Sequence, residues 1–140
     1  GRIWAQARGI ARSLERTDID FQGVGTDIDP EALEIAKINA ERAGVAELVS
    51  FYKADARRFD NSAPNGTVIT NPPYGERLLD VQTVEKLYRD LGKVFTRKHG
   101  WSYSVITADE DFEKAFGRRA DKRRKLYNGM IKTQLYMYFK

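Results

Sequence analysis

The sequence predicts an α/β open sheet that is closed by one antiparallel strand, and three observations predict it. Strand-like and helix-like hydrophobic patterns alternate from residue 2 to residue 116. Near the C-terminal end, Asn128-Gly129 separates two segments of alternating apolar residues, a strong short-range hairpin signal. The composition, 41% hydrophobic and 31% charged over 140 residues, supports one core and excludes a disordered chain. One domain over residues 1–140 is therefore expected.

The elements follow in order. Residues 2–16 read as a helix, with Ile3, Ala7, Ile10, Ala11 and Leu14 along one stripe. Phe21 to Asp27 reads as a strand. Asp29 followed by Pro30 has the form of an N-cap and a proline at the first helical position, and the helix runs to about Ala43, where Gly44 terminates it. Val49 to Lys53 and Thr67 to Thr70 are short strands. A long helix is expected from Val81 to Lys98, with Val84, Leu87, Tyr88, Leu91, Val94 and Phe95 as its buried face. Arg97, Lys98 and His99, the sole histidine, would then favour its C-terminus just before Gly100. Trp101 to Thr107 is a strand and Asp111 to Phe116 a short helix. Arg124 to Tyr127 and Lys132 to Phe139 form the terminal hairpin.

Composition also narrows the function. The chain has no cysteine, so disulfide, thiolate-metal and cysteine-nucleophile chemistry are excluded, which fits a reducing cytoplasm. No metal site is expected. No apolar run is long enough to span a membrane, and no signal-peptide pattern is present, so no membrane partner is expected. The net charge of +4 is local. Between Arg118 and Lys125 six positive residues stand against one negative, leaving the rest of the chain close to neutral. Such a patch suits a polyanion, with Arg118, Arg119, Arg123 and Arg124 as candidate contacts; a solvated linker is the alternative.

In open α/β sheets ligands bind at the carboxyl ends of the strands. Asp27 follows the first strand, Asp55 the second, and Asn71-Pro72-Pro73-Tyr74 the third, so all are expected on one edge. An ionised carboxylate only accepts hydrogen bonds, so one acid suits ribose hydroxyls and another an adenine amine. Asp29 is expected to cap its helix, which leaves Asp27 as the ribose ligand. The small neighbours Ala54 and Ala56 let a flat ring approach Asp55.

The proline pair is the most informative element. Each proline pushes its predecessor out of the helical region, and neither has an N–H for a sheet ladder. A stiff turn results, holding the Asn71 side-chain oxygen and the Pro72 carbonyl as acceptors, with the Tyr74 ring beside them. Two acceptors and a stacking ring suit an amino group on a planar base, whose nitrogen is drawn towards tetrahedral geometry when both its hydrogens are accepted.

These residues resemble class I S-adenosylmethionine-dependent methyltransferases, specifically those carrying an Asn-Pro-Pro-Tyr motif. The stretch Thr70-Asn71-Pro72-Pro73-Tyr74-Gly75-Glu76-Arg77-Leu78 is similar to the ribosomal RNA large-subunit guanine-N2 methyltransferase family, also described as N6-adenine-specific methylases. Gly25 to Pro30 with Ala36 and Asn39, and Arg119 to Lys122 leading to Asn128-Gly129, agree with it, so the resemblance spans about Phe21 to the C-terminus. It implies a Rossmann-like sheet with S-adenosyl-L-methionine as cofactor. Asp27 with Ile28 would lie at the ribose and Asp55 with Ala56 at the adenine. Asn71, Pro72 and Tyr74 would hold the target base, with Asn71 also beside the cofactor.

One departure is plain. The family's first strand and its glycine-rich loop have no counterpart in residues 1–140, because Gly23-Val24-Gly25 lies within a strand. The resemblance places them, and an RNA-binding THUMP domain, before Gly1. Residues 1–140 are thus expected to be the C-terminal portion of a catalytic domain, inactive alone, whose partners are an N-terminal portion of the same protein and RNA, ribosomal RNA first. The expected function is methyl transfer to guanine N2 in large-subunit ribosomal RNA. Adenine-N6 methylation of RNA or DNA, and a catalytically silent RNA-binding chain, are the alternatives.

Overall fold

The computed structural model describes residues 1–16, 18, 21–73 and 81–139. Contacts divide the chain into two compact units, Gly1–Lys53 and Ala54–Lys140.

The first unit holds α1 (Arg2–Ser13), β1 (Gly23–Asp27), α2 (Pro30–Ala43) and β2 (Val49–Lys53). β1 and β2 pair in parallel, Gly23 opposite Val49 and Asp27 opposite Lys53. The α2 start follows the sequence signal: the Asp29 carboxylate accepts the Glu31 amide at 2.9 Å, and Pro30 fills the first helical position. Gly44 ends the helix at φ 71°, a left-handed conformation that favours glycine. Leu33 and Ala40 are the buried residues of α2. Helix α1 buries none of its residues and stops at Ser13 rather than Arg16; Ile3, Ile10 and Leu14 of its stripe are exposed.

The second unit contains β3 (Gly66–Thr70), α3 (Val81–Val94), β4 (Trp101–Thr107), α4 (Phe112–Phe116), β5 (Lys122–Asn128) and β6 (Ile131–Phe139). Its sheet has the order β3-β4-β6-β5. β3 and β4 are parallel with Thr70 opposite Val105, whereas β4 and β6, and β5 and β6, are antiparallel. The expected hairpin closes around Asn128-Gly129, with Asn128 opposite Ile131. Among the described strands, β1 pairs only with β2 and β3 only with β4.

The main core lies in this second unit. Trp101, Tyr103, Val105 and Thr107 alternate along β4 on its buried face. Val84, Tyr88, Leu91 and Phe95 pack with them as a helical stripe, joined by Phe112 and Phe116 of α4 and by Tyr136 and Tyr138 of β6. Aromatic rings dominate the contact. Phe95 stacks on Tyr103 with centroids 4.9 Å apart, and Phe112 and Phe116 lie 4.9 Å from Tyr136 and Tyr138 respectively. No described helix is long and apolar enough to cross a membrane.

Two expected boundaries change for tertiary reasons. α3 ends at Val94, so Lys98 is not in its last turn; the Lys98 ammonium donates to the carbonyls of Asn61, Ser62 and Ala63 instead. β5 begins at Lys122 rather than Arg124, because Lys122 pairs with Met137 and carries the ladder into the basic run.

Gly92 shows how closely the helices approach. A Cβ at this position would lie 2.1 Å from the Phe116 carbonyl oxygen, whereas one at Gly9 of α1 meets nothing within 4 Å. Gly92→Ala is therefore expected to destabilise the protein by about 1–3 kcal/mol, the overpacking outweighing its gain in helix propensity. Gly9→Ala has that gain alone and should raise helix stability by about 0.5–1 kcal/mol. Chemical denaturation of both variants checks the pair; equal effects would contradict the close approach.

Candidate active site

Strand ends position the candidate residues within each unit. In the first, Asp27 terminates β1 and is exposed. Its Oδ1 accepts the Asp29 amide at 2.9 Å, which turns the chain into α2. Its Oδ2 has no partner among the described residues. Ile28 follows and is also exposed. The two acids thus differ: Asp29 caps the helix, and Asp27 engages the Asp29 amide through Oδ1.

In the second unit, Asp55 begins the short 3-10 turn of residues 56–58 and caps it through the Arg57 amide at 2.9 Å. The Arg57 guanidinium folds back on the same carboxylate, with Nε 3.0 Å from Oδ1 and 2.9 Å from Oδ2. A charge-assisted pair of this kind favours the ionised acid. The Arg57 side chain, helped by its amide, holds the Asp55 carboxyl down at about 2. Sequence spacing alone did not disclose this: Arg57 stands two residues from the acid it engages. Arg57 also faces Asp90 across an open groove that Arg58, Lys93 and Val94 line as well. Ala56 is exposed beside Asp55.

Asn71 is the first residue beyond β3, carried past Thr70 alongside the end of β4 by the parallel register. Asn71 is exposed, whereas the Pro72 ring is buried. Neither the Asn71 side chain nor the Pro72 carbonyl has a hydrogen-bond partner among the described residues, so both remain acceptors. The Pro73 carbonyl is engaged, accepting from the Tyr88 hydroxyl at 3.2 Å. Tyr74, the expected stacking ring, lies outside the described residues.

The basic run does not form one surface. Arg118 is half-buried: its guanidinium donates to the Phe95 carbonyl at 2.9 Å and lies 4.7 Å from the centre of the Tyr138 ring. Burial pulls its pKa down, and its Nε is buried without a partner. Arg123 is paired with Glu113 of α4, which also accepts the Ala120 amide at 2.7 Å. These two arginines fasten the edge of the fold and do not stand with the others as open cations. Arg119 and Arg124 are exposed and have no partner among the described residues, as is also true of Lys122 on the outer strand β5.

Each acid, taken within its own unit, is compatible with part of a nucleoside: among the described residues Asp27 Oδ2 is an unpartnered acceptor that suits a hydroxyl, and Asp55 is an ionised acceptor that suits an amine, next to a residue no larger than alanine. Arg57→Gln should raise the Asp55 pKa from about 2 towards the ordinary carboxyl value of about 3.9, stopping short because the residue-57 amide still donates. The sign follows from linkage. A depressed carboxyl stabilises the fold above its unfolded pKa and loses that contribution as pH falls through the folded value. The pair's contribution is therefore intact above about pH 4 and drains towards pH 2. Carbon-detected NMR titration of both proteins checks this, an unmoved Asp55 pKa being the contrary result.

Comparison with known proteins agrees with the topology. A family model described as RMKL-like, methyltransferase domain, matches residues 3–137. YpsC of Bacillus subtilis (strain 168) is 39% identical over 137 residues, covering 98% of this chain and 36% of its own length. The ribosomal RNA large subunit methyltransferase K/L of Shewanella frigidimarina (strain NCIMB 400) is 38% identical over 135 residues, covering 96% of this chain and 18% of its own. The chain thus spans about a third or less of these relatives. Among solved structures, SMU.472 complexed with SAH superposes with a TM-score of 0.86 at 41% identity, covering 96% of this chain and 36% of that one. A predicted N6-adenine-specific DNA methylase from Listeria monocytogenes str. 4b F2365 gives 0.79 at 42% identity, covering 99% and 35%. With the model matching nearly its whole length, this chain belongs to the RMKL-like methyltransferase domain family.

Proposed function

We propose that the complete protein methylates an exocyclic amine of a nucleic-acid base, guanine N2 in large-subunit ribosomal RNA, in the cytoplasm. The observation that carries this reading is the Asn71-Pro72-Pro73 turn at the end of β3, with two acceptors that have no partner among the described residues, on a backbone that two prolines stiffen. S-adenosylmethionine, when bound, supplies a methyl group on a positively charged sulfur that departs as a neutral thioether. Asp27 and Ile28 hold its ribose, and Asp55 and Ala56 its adenine.

The chain's own part in the chemistry concerns the amine. An amine attached to an aromatic base shares its lone pair with the ring. Accepting one N–H at the Asn71 oxygen and the other at the Pro72 carbonyl pulls the nitrogen out of that conjugation and fixes its direction. Tyr74 supports the ring. The same acceptors fit adenine N6, and the Listeria neighbour's name favours that second reading. Nucleoside analysis of ribosomal RNA from cells lacking the gene separates the two: loss of N2-methylguanosine supports the first, and loss of N6-methyladenosine the second.

Asn71→Ala in the product of the complete open reading frame should lower methyl transfer by roughly a hundredfold or more, the scale for losing one preorganised polar group. Cofactor affinity should stay nearly constant by calorimetry. Loss of cofactor binding alongside activity would remove Asn71 from its role on the amine.

RNA contact belongs to the exposed cations in the basic run. Replacing Arg119 and Arg124 by Gln should weaken RNA binding and flatten its salt dependence, each lost phosphate contact removing roughly 0.7–0.9 from the log–log slope, the range from single strands to duplex DNA. Arg118→Gln should instead lower thermal stability, since its guanidinium is held by Phe95 and Tyr138. An unchanged salt slope for the Arg119 and Arg124 variants would return the run to a solvated edge.

A further inference from the structure

Behind the Asn71-Pro72-Pro73 turn lies a buried polar chain that the reading above does not use. Tyr88 sits in the middle of the α3 stripe, fully buried, with its ring against Phe112 at 4.9 Å. Its hydroxyl lies 3.2 Å from the Pro73 carbonyl oxygen and 3.0 Å from Thr107 Oγ1. Thr107 is the last residue of β4, also fully buried, and its Oγ1 accepts the Asp109 amide at 3.1 Å.

The direction of every link is fixed by chemistry. A carbonyl only accepts, so the Tyr88 proton goes to Pro73; an amide only donates, so the Asp109 N–H goes to Thr107. One proton remains, on Thr107, and its place is the bond to the Tyr88 oxygen. The chain therefore runs in one sense, from the Asp109 amide through Thr107 and Tyr88 to Pro73. Head-to-tail chains of this kind reinforce one another, and breaking one link leaves a buried polar group without its partner.

A tyrosine in this stripe position has a simpler alternative. Phenylalanine would fill the same space among Phe112, Leu91 and Val84, so packing does not require the hydroxyl. The hydroxyl serves the turn. Proline has no N–H of its own, so two consecutive prolines leave carbonyls as the backbone's only handles at those positions. Tyr88 takes hold of the second of these.

We propose that Tyr88 is a positioning residue for methyl transfer: by holding the Pro73 carbonyl it sets the direction in which Asn71 and the Pro72 carbonyl face the substrate amine, with Thr107 holding Tyr88 in turn. The proposal rests on the reading of Asn71 and Pro72 given above. Tyr88 itself touches neither substrate nor cofactor in this role.

The test uses the product of the complete open reading frame, tritiated S-adenosylmethionine, and three polymers made without modification: large-subunit ribosomal RNA, transfer RNA and adenine-containing duplex DNA. Tyr88→Phe should lower kcat roughly ten- to hundredfold, as expected for a lost buried hydrogen bond, while KM for the polymer and cofactor affinity stay within about twofold. Thr107→Val should do the same, and Thr107→Ser, which keeps the hydroxyl, should restore most of the rate. The double variant Tyr88→Phe with Thr107→Val should be no slower than the worse single variant, because both break one chain. Hydrogen exchange at the Asp109 amide should quicken in Thr107→Val and not in Thr107→Ser.

Each contrary outcome falls on a different claim. An active wild type with Tyr88→Phe at full kcat, or with kcat and cofactor affinity falling together, overturns the positioning role and leaves the reading of Asn71 standing. Full activity in Asn71→Ala overturns that reading and the positioning role with it. So does a wild type that binds S-adenosylmethionine but methylates none of the three polymers.

Discussion

β4 is the strand on which the second unit depends, because it alone pairs in both senses: parallel to β3 and antiparallel to β6. A strand bonded on both edges has no freedom of register, and a one-residue slip would turn Trp101, Tyr103, Val105 and Thr107 off the core. That fixed register brings the end of β3 alongside the end of β4, so the turn at Asn71 emerges beside Thr107. The α3 stripe then packs on the same face, and Tyr88 arrives where both strand ends can be reached. Position along one strand thus decides both the core and the place of the candidate site.

The core that holds this arrangement is aromatic, and aromatic side chains with polar tips do two things at once. The bodies of Tyr103, Tyr136, Tyr138 and Tyr88 supply buried area and edge or stacked contacts, while their hydroxyls tie loops to the sheet. The Tyr103 hydroxyl meets the Asn61 amide at 3.1 Å, and the Tyr138 hydroxyl donates to the Arg118 carbonyl at 3.3 Å. Burial raises the pKa of Tyr136 and Tyr138, which keeps both neutral and able to donate. Arg118 completes the edge of this core by lying over Phe116 and Tyr138, a cation drawn in by rings rather than by an acid.

Much of this was legible in the sequence where the signal is local. The Asp29-Pro30 start and Gly44 stop of α2, the Asn128-Gly129 turn and the alternation along β4 each depend on a few adjacent residues. They appear as expected. The end of α3 was not legible, because Lys98 is drawn to carbonyls 35 to 37 residues earlier in the chain. The strand expected from Arg124 begins two residues earlier, at Lys122, because an outer strand tolerates these cations, and their charge discourages further pairing. The positions of Asp27, Asp55 and Asn71 at or just beyond the ends of their strands were legible too. The groups that engage Asp55 and the Pro73 carbonyl were not. Tyr88 reads as one more apolar position in a helical stripe, and its partners lie 15 and 19 residues away in sequence.

The supporting groups differ in kind between the two candidate positions in the second unit, and the difference follows from what each is asked to hold. The Arg57 guanidinium holds the Asp55 carboxyl down at about 2. In the proposed role, the Asn71-Pro72-Pro73 turn presents neutral acceptors in a fixed direction. The support there is correspondingly neutral: a tyrosine, a threonine and a backbone amide, buried and satisfied in sequence. The two supports are thus of different kinds, an ion pair at Asp55 and a run of hydrogen bonds among hydroxyls and an amide behind the turn.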